Sequence, residues 1–474
     1  MPDTPIYRSP LSLLPLIAIP AFLAIANQTM VSVALPNIGA DLGEVRRLPW
    51  LVMGYMIALT IAGPVYGVLG DSYGRARMLL IALCVYIAGT ALAAMAWNFP
   101  VLASARLLQG LGGGGLMSLS QALIGDVVAP RDRGRAQGNI AAISVLASTA
   151  GPLVAGVLVV TFGWRSLFLV TIPLALLAIT VLLRTKIPRR AAAAGRFDLQ
   201  GFLSLVLLVT GLTGAIEMVS VPGLRLWAGL AAVAAAAGIF GLLSSQRRAA
   251  NALFPAVIFK TPALNRASLA IFCHGAALVS LVTTIPLFHA ILRTDGAFVT
   301  ATTMLALTVA FGVAGIIAGN LVTITGRTVL FPSLSLPVSV AALMFLAFYG
   351  AELSRPALMA NYLLIGLTFG WVMPVLNTVV QVTAADEIRG RAIGAITFAR
   401  SIGAVVGTAL TAFVLFAVAP SGSDAGAILS GALSADTVSR AGWELAFRAT
   451  FATIAGFVVL EWVLVVLNPA RRVE

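Results

Sequence analysis

The chain has 474 residues, of which 60% are hydrophobic and 10% are charged, and its mean hydropathy is +1.01. This composition excludes a soluble globular protein, because a water-facing surface needs a larger charged fraction. The net charge of +13 would suggest a nucleic-acid partner in a soluble chain, but here the basic residues follow a membrane topology.

Fourteen long apolar runs follow one another along the chain, and a helix that crosses a bilayer needs ~20 such residues. The runs are continuous rather than alternating, which predicts helices and excludes a membrane β-barrel. The sequence therefore predicts an all-α integral membrane protein with 14 transmembrane helices, numbered spans 1 to 14 in chain order. The spans cover residues 11–36, 48–70, 78–97, 99–124, 135–160, 165–184, 199–220, 226–246, 266–290, 298–323, 329–349, 357–382, 391–418 and 446–467.

The first two spans carry polar and aromatic residues that are candidates to line a cavity. Span 1 is apolar as far as Leu35, too long for the core of a signal peptide, so an uncleaved first helix is expected. Asn27 and Gln28 lie within it, and Trp50 and Tyr55 lie at the start of span 2.

The segment Gly67–Arg77, GVLGDSYGRAR, ends span 2 in a tight charged turn. Its glycines allow close backbone approach, and its carboxylate lies beside a cationic pair. We expect Asp71 to dock on the positive N-terminal end of span 13, near Arg389–Gly394, as a latch that forms only when the inner side is closed. The alternative is a helix cap without a switching role. The residues of this predicted latch are Gly67, Gly70, Asp71, Gly74, Arg75 and Arg77.

Span 4 carries Arg106 inside an apolar helix. An unpaired guanidinium at depth costs ~2.5–3.5 kcal/mol or more, so we expect Arg106 to face a cavity and find acceptors in Asn27, Gln28 or backbone carbonyls. Snorkelling to the interface is the alternative. Gln109 is a further cavity candidate. The run Gly110–Gly115 contains a GxGxxG pattern but follows no strand, so close helix packing explains it better than a dinucleotide site.

Span 5 combines a polar residue with a kink and small residues. Asn139 is a cavity candidate, and Pro152 after Gly151 removes a helical hydrogen bond and predicts a kink. Gly151, Ala155 and Gly156 are expected to pack closely on a helix of the second bundle. A plain proline kink is the alternative.

Span 9 carries His274 near its middle and His289 near its outer end. An intramembrane histidine is a functional candidate for a substrate or proton role, whereas a hydrogen bond to a neighbouring helix is the alternative. Asn377 in span 12 and Arg400 in span 13 are further cavity candidates.

Three other kinds of residue are assigned structural roles. Glu217 and Glu461 lie in spans 7 and 14, which are expected to be peripheral, so structural pairing is predicted for both. Cys84 and Cys273 fall within spans as small apolar side chains, without a disulfide framework. Metal ligands and cofactors are not predicted.

The chain repeats itself. Gly134–Ile140 (GRAQGNI) and Gly390–Ile396 (GRAIGAI) agree at five of seven positions at an offset of 256. At an offset of 252, Gly67, Gly74 and Arg75 of the charged turn recur as Gly319, Gly326 and Arg327, but Thr323 replaces Asp71. Parallel duplicated halves are a transporter architecture. We predict two pseudo-symmetric six-helix bundles, 1–190 and 251–474, joined by two inserted helices in 191–250.

The basic residues fix the orientation. With the N-terminus inside, the inner segments hold 20 of the 30 Lys and Arg residues and the outer segments hold eight, while Arg106 and Arg400 lie within spans. The positive-inside rule then predicts a multi-pass protein with both termini in the cytoplasm.

Taken in order along the chain, these motifs resemble the major facilitator superfamily, and specifically its fourteen-helix proton-coupled drug exporter branch (the drug:H+ antiporter branch). The matching segments lie at the ends or in the middle of the predicted spans. They are Ala26–Pro36, Trp50 with Tyr55, Gly67–Arg77, Arg106–Gly112, Ala147–Gly156 and Arg400–Gly407.

The resemblance implies the major facilitator fold, alternating access, a latch at Asp71 and a role for Arg106 in proton coupling. The branch usually has an acidic residue where this chain has Asn27, so the expected proton carrier is missing. His274, Glu217 or Asp71 then carries the proton, Arg106 acts on substrate alone, or coupling is lost. Without a cavity carboxylate, neutral or anionic amphiphiles are favoured as cargo over cations.

We therefore predict a bacterial inner-membrane transporter, not an enzyme, that exports small amphipathic compounds such as drugs, antibiotics or metabolites by proton antiport. Its partners are a small-molecule substrate, protons and the lipid bilayer, without nucleic acid, and it is expected to be a monomer. The alternatives are an uncoupled or uptake permease of the same fold and a non-transporting membrane sensor.

Overall fold

A computed structural model describes residues 10–42, 49–185, 187, 198–219, 223–248, 252–254, 256–293, 295, 297–420 and 440–472. The described chain is helical, and two single-turn 3-10 helices, Pro130–Asp132 and Asp386–Ile388, precede α5 and α16. The α-helices are α1 (Pro10–Leu42), α2 (Pro49–Tyr73), α3 (Arg75–Ala94), α4 (Phe99–Val127), α5 (Arg133–Phe162), α6 (Ser166–Leu169), α7 (Thr171–Arg184), α8 (Leu199–Val219), α9 (Arg225–Arg248), α10 (Ala256–Lys260), α11 (Pro262–Leu292), α12 (Ala297–Thr325), α13 (Leu330–Tyr349), α14 (Arg355–Phe369), α15 (Val372–Thr383), α16 (Arg389–Val418) and α17 (Arg440–Val466).

Within the described residues, eleven helices are long and apolar enough to cross a membrane. Large apolar side chains also cover their outer faces, for example Phe240, Leu226 and Phe413, which are 76%, 74% and 70% exposed. Such surfaces are stable only in contact with lipid. The chain is therefore an all-α multi-pass membrane protein, as predicted, and the count of 14 spans remains a prediction.

The described residues form two compact units. The first takes them from Met1–Asn265 together with Asn377–Phe398, and the second from Arg266–Leu376 together with Ala399–Arg472. A short piece of the second sequence half thus belongs to the first unit, and α16 contributes to both. The predicted boundaries at residues 190 and 250 remain a prediction.

The sequence repeat is visible in the backbone. α5 and α16 each have 30 residues and begin at Arg133 and Arg389, the positions that the repeat aligns. Gly74 and Gly326, also aligned, have φ angles of 94° and 67°, a region that favours glycine. The two halves therefore use the same turns at equivalent places.

The glycine run of α4 permits close contacts with two helices. A Cβ atom on Gly112 would lie 2.5 Å from the backbone nitrogen of Tyr86 in α3, and one on Gly114 would lie 2.5 Å from the carbonyl oxygen of Leu59 in α2. Side chains at these positions cannot fit without moving backbone. The GxGxxG pattern is thus a packing feature, as the sequence indicated.

The small residues of α5 differ from the prediction. A Cβ on Gly151 would lie 2.5 Å from Thr29 Oγ1 of α1, so this face packs on a helix of the same half rather than on the second bundle. Ala155 is fully buried, but no atom lies within 4 Å of a Cβ built on Gly156. The expectation was wrong because α1 occupies the Gly151 face. The side chain of Pro152 lies outside the described residues.

Replacing Gly112 with valine is expected to prevent stable folding, because overpacking costs roughly 1–3 kcal/mol or more where backbone has to move. Gly229→Ala in α9, where a Cβ meets no atom within 4 Å, is the control and should preserve stability. Thermal unfolding followed by size-exclusion chromatography in detergent measures both. A Gly112→Val protein as stable as the wild type would contradict the packing.

Candidate functional site

The end of α2 meets the beginning of α16 through Asp71. Its Oδ1 accepts a hydrogen bond from the backbone N–H of Gly390 at 3.0 Å, and its Oδ2 accepts one from the N–H of Arg391 at 2.9 Å. The first N–H groups of a helix have no partners within the helix and carry its positive dipole end. The contact expected from the sequence is therefore present.

Two glycines allow this approach. A Cβ on Gly67 would lie 2.6 Å from the carbonyl oxygen of Gly390, and one on Gly394 would lie 2.9 Å from Cα of Pro64. α2 and α16 therefore touch backbone to backbone. A larger residue at either position would push the start of α16 away from Asp71.

Arginines compensate the charge of this contact. Arg75 is bound to Asp71 at 2.9 Å and to Asp126 of α4 at 2.6 Å, and its side chain is 4% exposed. Arg389 lies 3.7 Å from Asp126, and Arg391 lies 3.7 Å from Asp71. We call these five residues the inner cluster. Since its carboxylates are nearly buried, removing one partner leaves an uncompensated charge, at a cost of roughly 3–5 kcal/mol.

Beside the inner cluster, the two arginines that the sequence repeat aligns donate to the same backbone oxygens. Arg133 donates to the carbonyl oxygens of Gly125 (2.8 Å) and Gln381 (2.9 Å), and Arg389 donates to the same two oxygens at 3.2 and 3.0 Å. Both oxygens lie in the last turns of helices, α4 and α15, where a cation is favourable. Sequence reasoning omitted Asp126 and Arg133 from the predicted latch, although the repeat had aligned Arg133 with Arg389.

Three residues of the predicted latch, Gly70, Gly74 and Arg77, do not belong to the inner cluster. A Cβ on Gly70 would lie 2.7 Å from the side chain of Leu119 in α4, so Gly70 allows α2 and α4 to pack. Gly74 provides the turn between α2 and α3 through its positive φ. Arg77 is exposed and does not belong to the inner cluster.

Arg106 lies in a fully buried position between α1, α2 and α4. Its Nε donates to the carbonyl oxygen of Leu51 at 3.1 Å, and its Nη1 donates to the side-chain oxygens of Asn27 and, at 2.5 Å, Gln109. The guanidinium lies 4.4 Å from the ring centre of Tyr55. Asn27 and backbone oxygens are thus its acceptors, as expected, and the snorkelling alternative is wrong because the side chain is 0% exposed.

The bonding of Arg106 is incomplete. Within the part of the chain that the structure describes, its Nη2 is buried without a hydrogen-bond partner, and the acceptors named above are all neutral. Gln109 is held in turn by the Thr90 hydroxyl at 2.8 Å. We call Arg106, Asn27, Gln109 and Tyr55 the Arg106 cluster. It presents a buried cation with a free donor, which is an arrangement that suits an oxygen-rich or anionic ligand.

The other cavity candidates do not join the Arg106 cluster. Asn377 is buried, 3.4 Å from the Gln137 amide oxygen, and Asn139 and Arg400 are half-buried. The side chains of Gln28 and Trp50 lie outside the described residues. Their predicted cavity roles remain predictions.

In the second unit, His274 of α11 lies against Glu461 of α17. The imidazole Nδ1 and the carboxylate Oε1 are 2.9 Å apart, and both side chains are 0% exposed. The structural pairing predicted for Glu461 is therefore present, and its partner is His274. The side chain of Glu217 lies outside the described residues.

His289, at the end of α11, is bonded to neighbouring side chains through both ring nitrogens. Its Nδ1 lies 2.9 Å from Asp295 and its Nε2 lies 3.1 Å from the Tyr362 hydroxyl. Arg293 also binds Asp295, at 3.1 Å, and donates to three backbone carbonyls after α13. These contacts fix the turn between α11 and α12.

Duplicated helical halves, a charged glycine turn bound to a helix N-terminus and a buried intramembrane arginine define a membrane protein of the transporter class. The family model of the Major Facilitator Superfamily matches residues 17–408. The chain belongs to this family.

Similar proteins carry transporter names. An uncharacterized MFS-type transporter of Mycobacterium tuberculosis is 32% identical over 400 residues, covering 81% of this chain and 56% of that protein, so the chain spans little more than half its length. The multidrug transporter protein MdtP of Bacillus subtilis is 28% identical over 403 residues, covering 83% of this chain and 73% of MdtP. The crystal structure of the human organic anion transporter MFSD10 shares the fold, with a TM-score of 0.67 at 17% identity, covering 97% of this chain and 100% of that chain.

Replacing Asp71 with asparagine is expected to open the inner cluster. The loss of ~1–3 kcal/mol for a buried charged hydrogen-bond acceptor corresponds to a shift of roughly 5- to 150-fold between closed and open states. Maleimide labelling of a Gln137→Cys reporter, 2% exposed as glutamine, in a background without Cys84 and Cys273, measures the opening.

The control is Arg131→Gln, an exposed residue before α5, which should leave the labelling unchanged. Gly67→Val should increase it as Asp71→Asn does, since it separates the same helices sterically. Equal labelling in the wild type and in both cluster variants would show that the contact does not control access.

The turn after α11 predicts a pH dependence of stability. Burial raises the pKa of the Asp295 carboxyl, but hydrogen bonds from His289 and Arg293 outweigh it, so its pKa lies below the ordinary value. A lowered native pKa stabilises above the unfolded pKa, and this contribution is lost as the pH falls through the native value. Asp295→Asn should therefore lower the melting temperature at neutral pH, and the difference from the wild type should shrink below about pH 4.

Glu352→Gln, at an exposed carboxylate, serves as the control and should give no such difference. Melting curves of the three proteins across the acid range make the comparison. A constant difference between Asp295→Asn and wild type at every pH would rule out the ionised Asp295 as its source.

Proposed function

We propose that the protein exports small amphipathic compounds across the cell membrane in exchange for protons, by alternating access. The observation that carries the proposal is the inner cluster, in which a carboxylate of one sequence half binds the N-terminus of a helix of the other. Such a contact is strong when closed and can be replaced by water when open, so it suits a two-state element.

The names of two relatives support export as the direction of transport. The relative MdtP is named a multidrug transporter, and the efflux pump FUS6 of Gibberella moniliformis is 26% identical over 410 residues. The proposal places the protein in the fourteen-helix exporter branch, with spans 7 and 8 inserted between two six-helix bundles. It further places a monomer in the bacterial inner membrane, with both termini in the cytoplasm.

The Arg106 cluster supports neutral or anionic amphiphiles as cargo. A buried guanidinium that binds only neutral oxygens keeps its charge uncompensated, and an anionic group supplies the missing partner for Nη2. A cationic compound would meet repulsion there. Tyr55, with its ring face against the guanidinium, adds an aromatic surface for an apolar body.

The inner cluster supports the switching role. Its charges are fixed on α2, α3, α4 and α16, and they satisfy one another only while these helix ends stay together. Substrate and protons bias the equilibrium only if they bind one state better than the other. The latch thus sets the stability of the closed inner side, against which ligand binding acts.

The test uses purified protein in liposomes with an imposed pH gradient, and two fluorescent amphiphiles of opposite charge, anilinonaphthalene sulfonate and ethidium. The anionic dye should move against inward proton flow, and a protonophore should stop it. Movement of ethidium alone would refute the cargo class. Movement that ignores both the gradient and the protonophore would refute antiport and favour an uncoupled permease.

Arg106→Ala should abolish transport of the anionic dye while the protein remains folded in the membrane, because the cation is lost and its acceptors stay neutral. Arg165→Gln is the control, since it removes contacts outside the Arg106 cluster: an exposed ion pair with Asp41, a hydrogen bond to the Ala96 carbonyl oxygen and a contact with the Trp164 ring. Exposed ion pairs contribute ~0–1 kcal/mol. Dye transport and detergent size-exclusion profiles measure function and folding separately. Retained gradient-driven transport by Arg106→Ala would refute its role.

A further inference from the structure

The His274–Glu461 pair is bonded through only half of its polar atoms. Nδ1 and Oε1 meet at 2.9 Å, whereas His274 Nε2 and Glu461 Oε2 are buried without hydrogen-bond partners among the described residues. A buried ionic pair that serves stability alone usually has its outer atoms bonded as well, because each unmade bond costs free energy. This pair therefore carries a cost that packing does not explain.

Aromatic rings and backbone surround the pair. The imidazole stacks on Phe369 of α14, with ring centres 4.2 Å apart, and lies 6.1 Å from Phe311 of α12. The next residue, Gly275, packs directly on the carbonyl oxygen of Arg400 in α16. The surroundings are apolar, so any net charge on the pair is poorly solvated.

Few charged residues on the neighbouring helices can compensate a net charge on the His274–Glu461 pair. α12 has no charged residue in its sequence, and α14 carries Arg355 at its first position with Tyr362 two turns later. The charged residues at the start of α17, Arg440, Glu444 and Arg448, pair with one another. On α11, Arg266 donates to the Leu467 carbonyl at one end and His289 binds Asp295 at the other. Cys273 beside the pair and Arg400 on α16 complete the ionisable residues of these helices in the second unit.

The proton count of the pair follows from this burial. One shared proton leaves it neutral overall, either as a carboxylic acid donating to a neutral imidazole or as a carboxylate beside an imidazolium. Loss of that proton leaves an isolated carboxylate, and gain of a second leaves an isolated imidazolium. Both are strongly disfavoured in an apolar interior. The occluded pair therefore holds one proton, and it can release it only when water or a cation reaches the carboxylate.

We propose that His274 and Glu461 form the proton-binding site of the transport cycle. The site holds a proton while it is closed from water, and releases it to water on opening, which leaves a carboxylate and a neutral imidazole. The proposal rests on the proposed proton antiport, and it supplies the titratable group that the Arg106 cluster lacks. It also assigns Glu461 more than the structural pairing that the sequence predicted.

The first test needs neither cargo nor transport. Infrared difference spectra of the purified protein, recorded as the pH is changed, detect a carboxylic-acid carbonyl band when a buried glutamate binds or releases a proton. We expect a band in the wild type that Glu461→Gln removes and that His274→Asn moves to a different midpoint pH. His289→Asn, which changes the other histidine of α11, should leave it unchanged. A spectrum without a titrating band assignable to Glu461 would overturn the proposal.

The second test separates a proton site from a structural pair. Replacing both residues by apolar side chains, His274→Leu with Glu461→Met, removes the buried polar atoms together and should preserve folding, as apolar replacement of buried ion pairs often does. We expect this variant to exchange anilinonaphthalene sulfonate across liposomes without a gradient, but to lose accumulation driven by the pH gradient. A variant that folds and still couples accumulation to the gradient would overturn the proposal.

The outcome for the wild type distinguishes this proposal from the proposed function. If wild-type protein transports the dye without response to the pH gradient, antiport fails, and a coupling role for the pair fails with it. If the wild type is coupled and both Glu461→Gln and the double variant remain coupled, only the assignment of the proton site fails. Should Glu461→Gln not fold, the double variant and the His274→Asn spectra decide the question.

Discussion

The bond between the Asp71 carboxylate and the first N–H groups of α16 joins residues 319 and 320 positions apart in the chain. It fixes the end of α2 on a helix of the second sequence half, and Arg75, Asp126 and Arg389 are arranged around it. The first N–H groups of a helix lack partners within the helix, and the Asp71 carboxylate supplies them. This bond requires the glycines at positions 67 and 390, because the short Asp71 side chain reaches the helix end only if the two backbones touch.

The buried charges of the chain are divided among places with different chemistry. The inner cluster holds carboxylates and arginines that compensate one another. The Arg106 cluster holds a cation among neutral oxygens, which cannot exchange protons near neutral pH because guanidinium stays charged. The His274–Glu461 pair joins a carboxylate to an imidazole at 2.9 Å, and it is the proposed proton site. In the proposed function, switching, substrate binding and proton binding thus fall on separate sets of residues.

Much of the fold could be predicted from the sequence, because lipid restricts a long apolar run to a helix and the repeat placed equivalent turns at fixed offsets. The docking of Asp71 and the acceptors of Arg106 could also be anticipated, since a buried charge has to find a partner. The neighbour of Gly151 and the pairing of His274 with Glu461 could not, because helix order along the chain does not determine which helices touch. Asp126 was missed since a lone acidic residue at a helix end resembles many surface residues until α3 is folded beside it.

Asn27 stands where the branch usually has an acidic residue. This replacement is the physical reason why substrate binding and proton binding use separate residues in the proposed function. A carboxylate beside Arg106 would neutralise the cation and compete with an anionic cargo, whereas an asparagine orients the guanidinium without cancelling its charge. In the proposed function the proton site therefore lies elsewhere, at the His274–Glu461 pair. α16 contributes to both units: Gly390 at its start binds Asp71 in the first, and Arg400 in its middle packs on the residue next to His274 in the second.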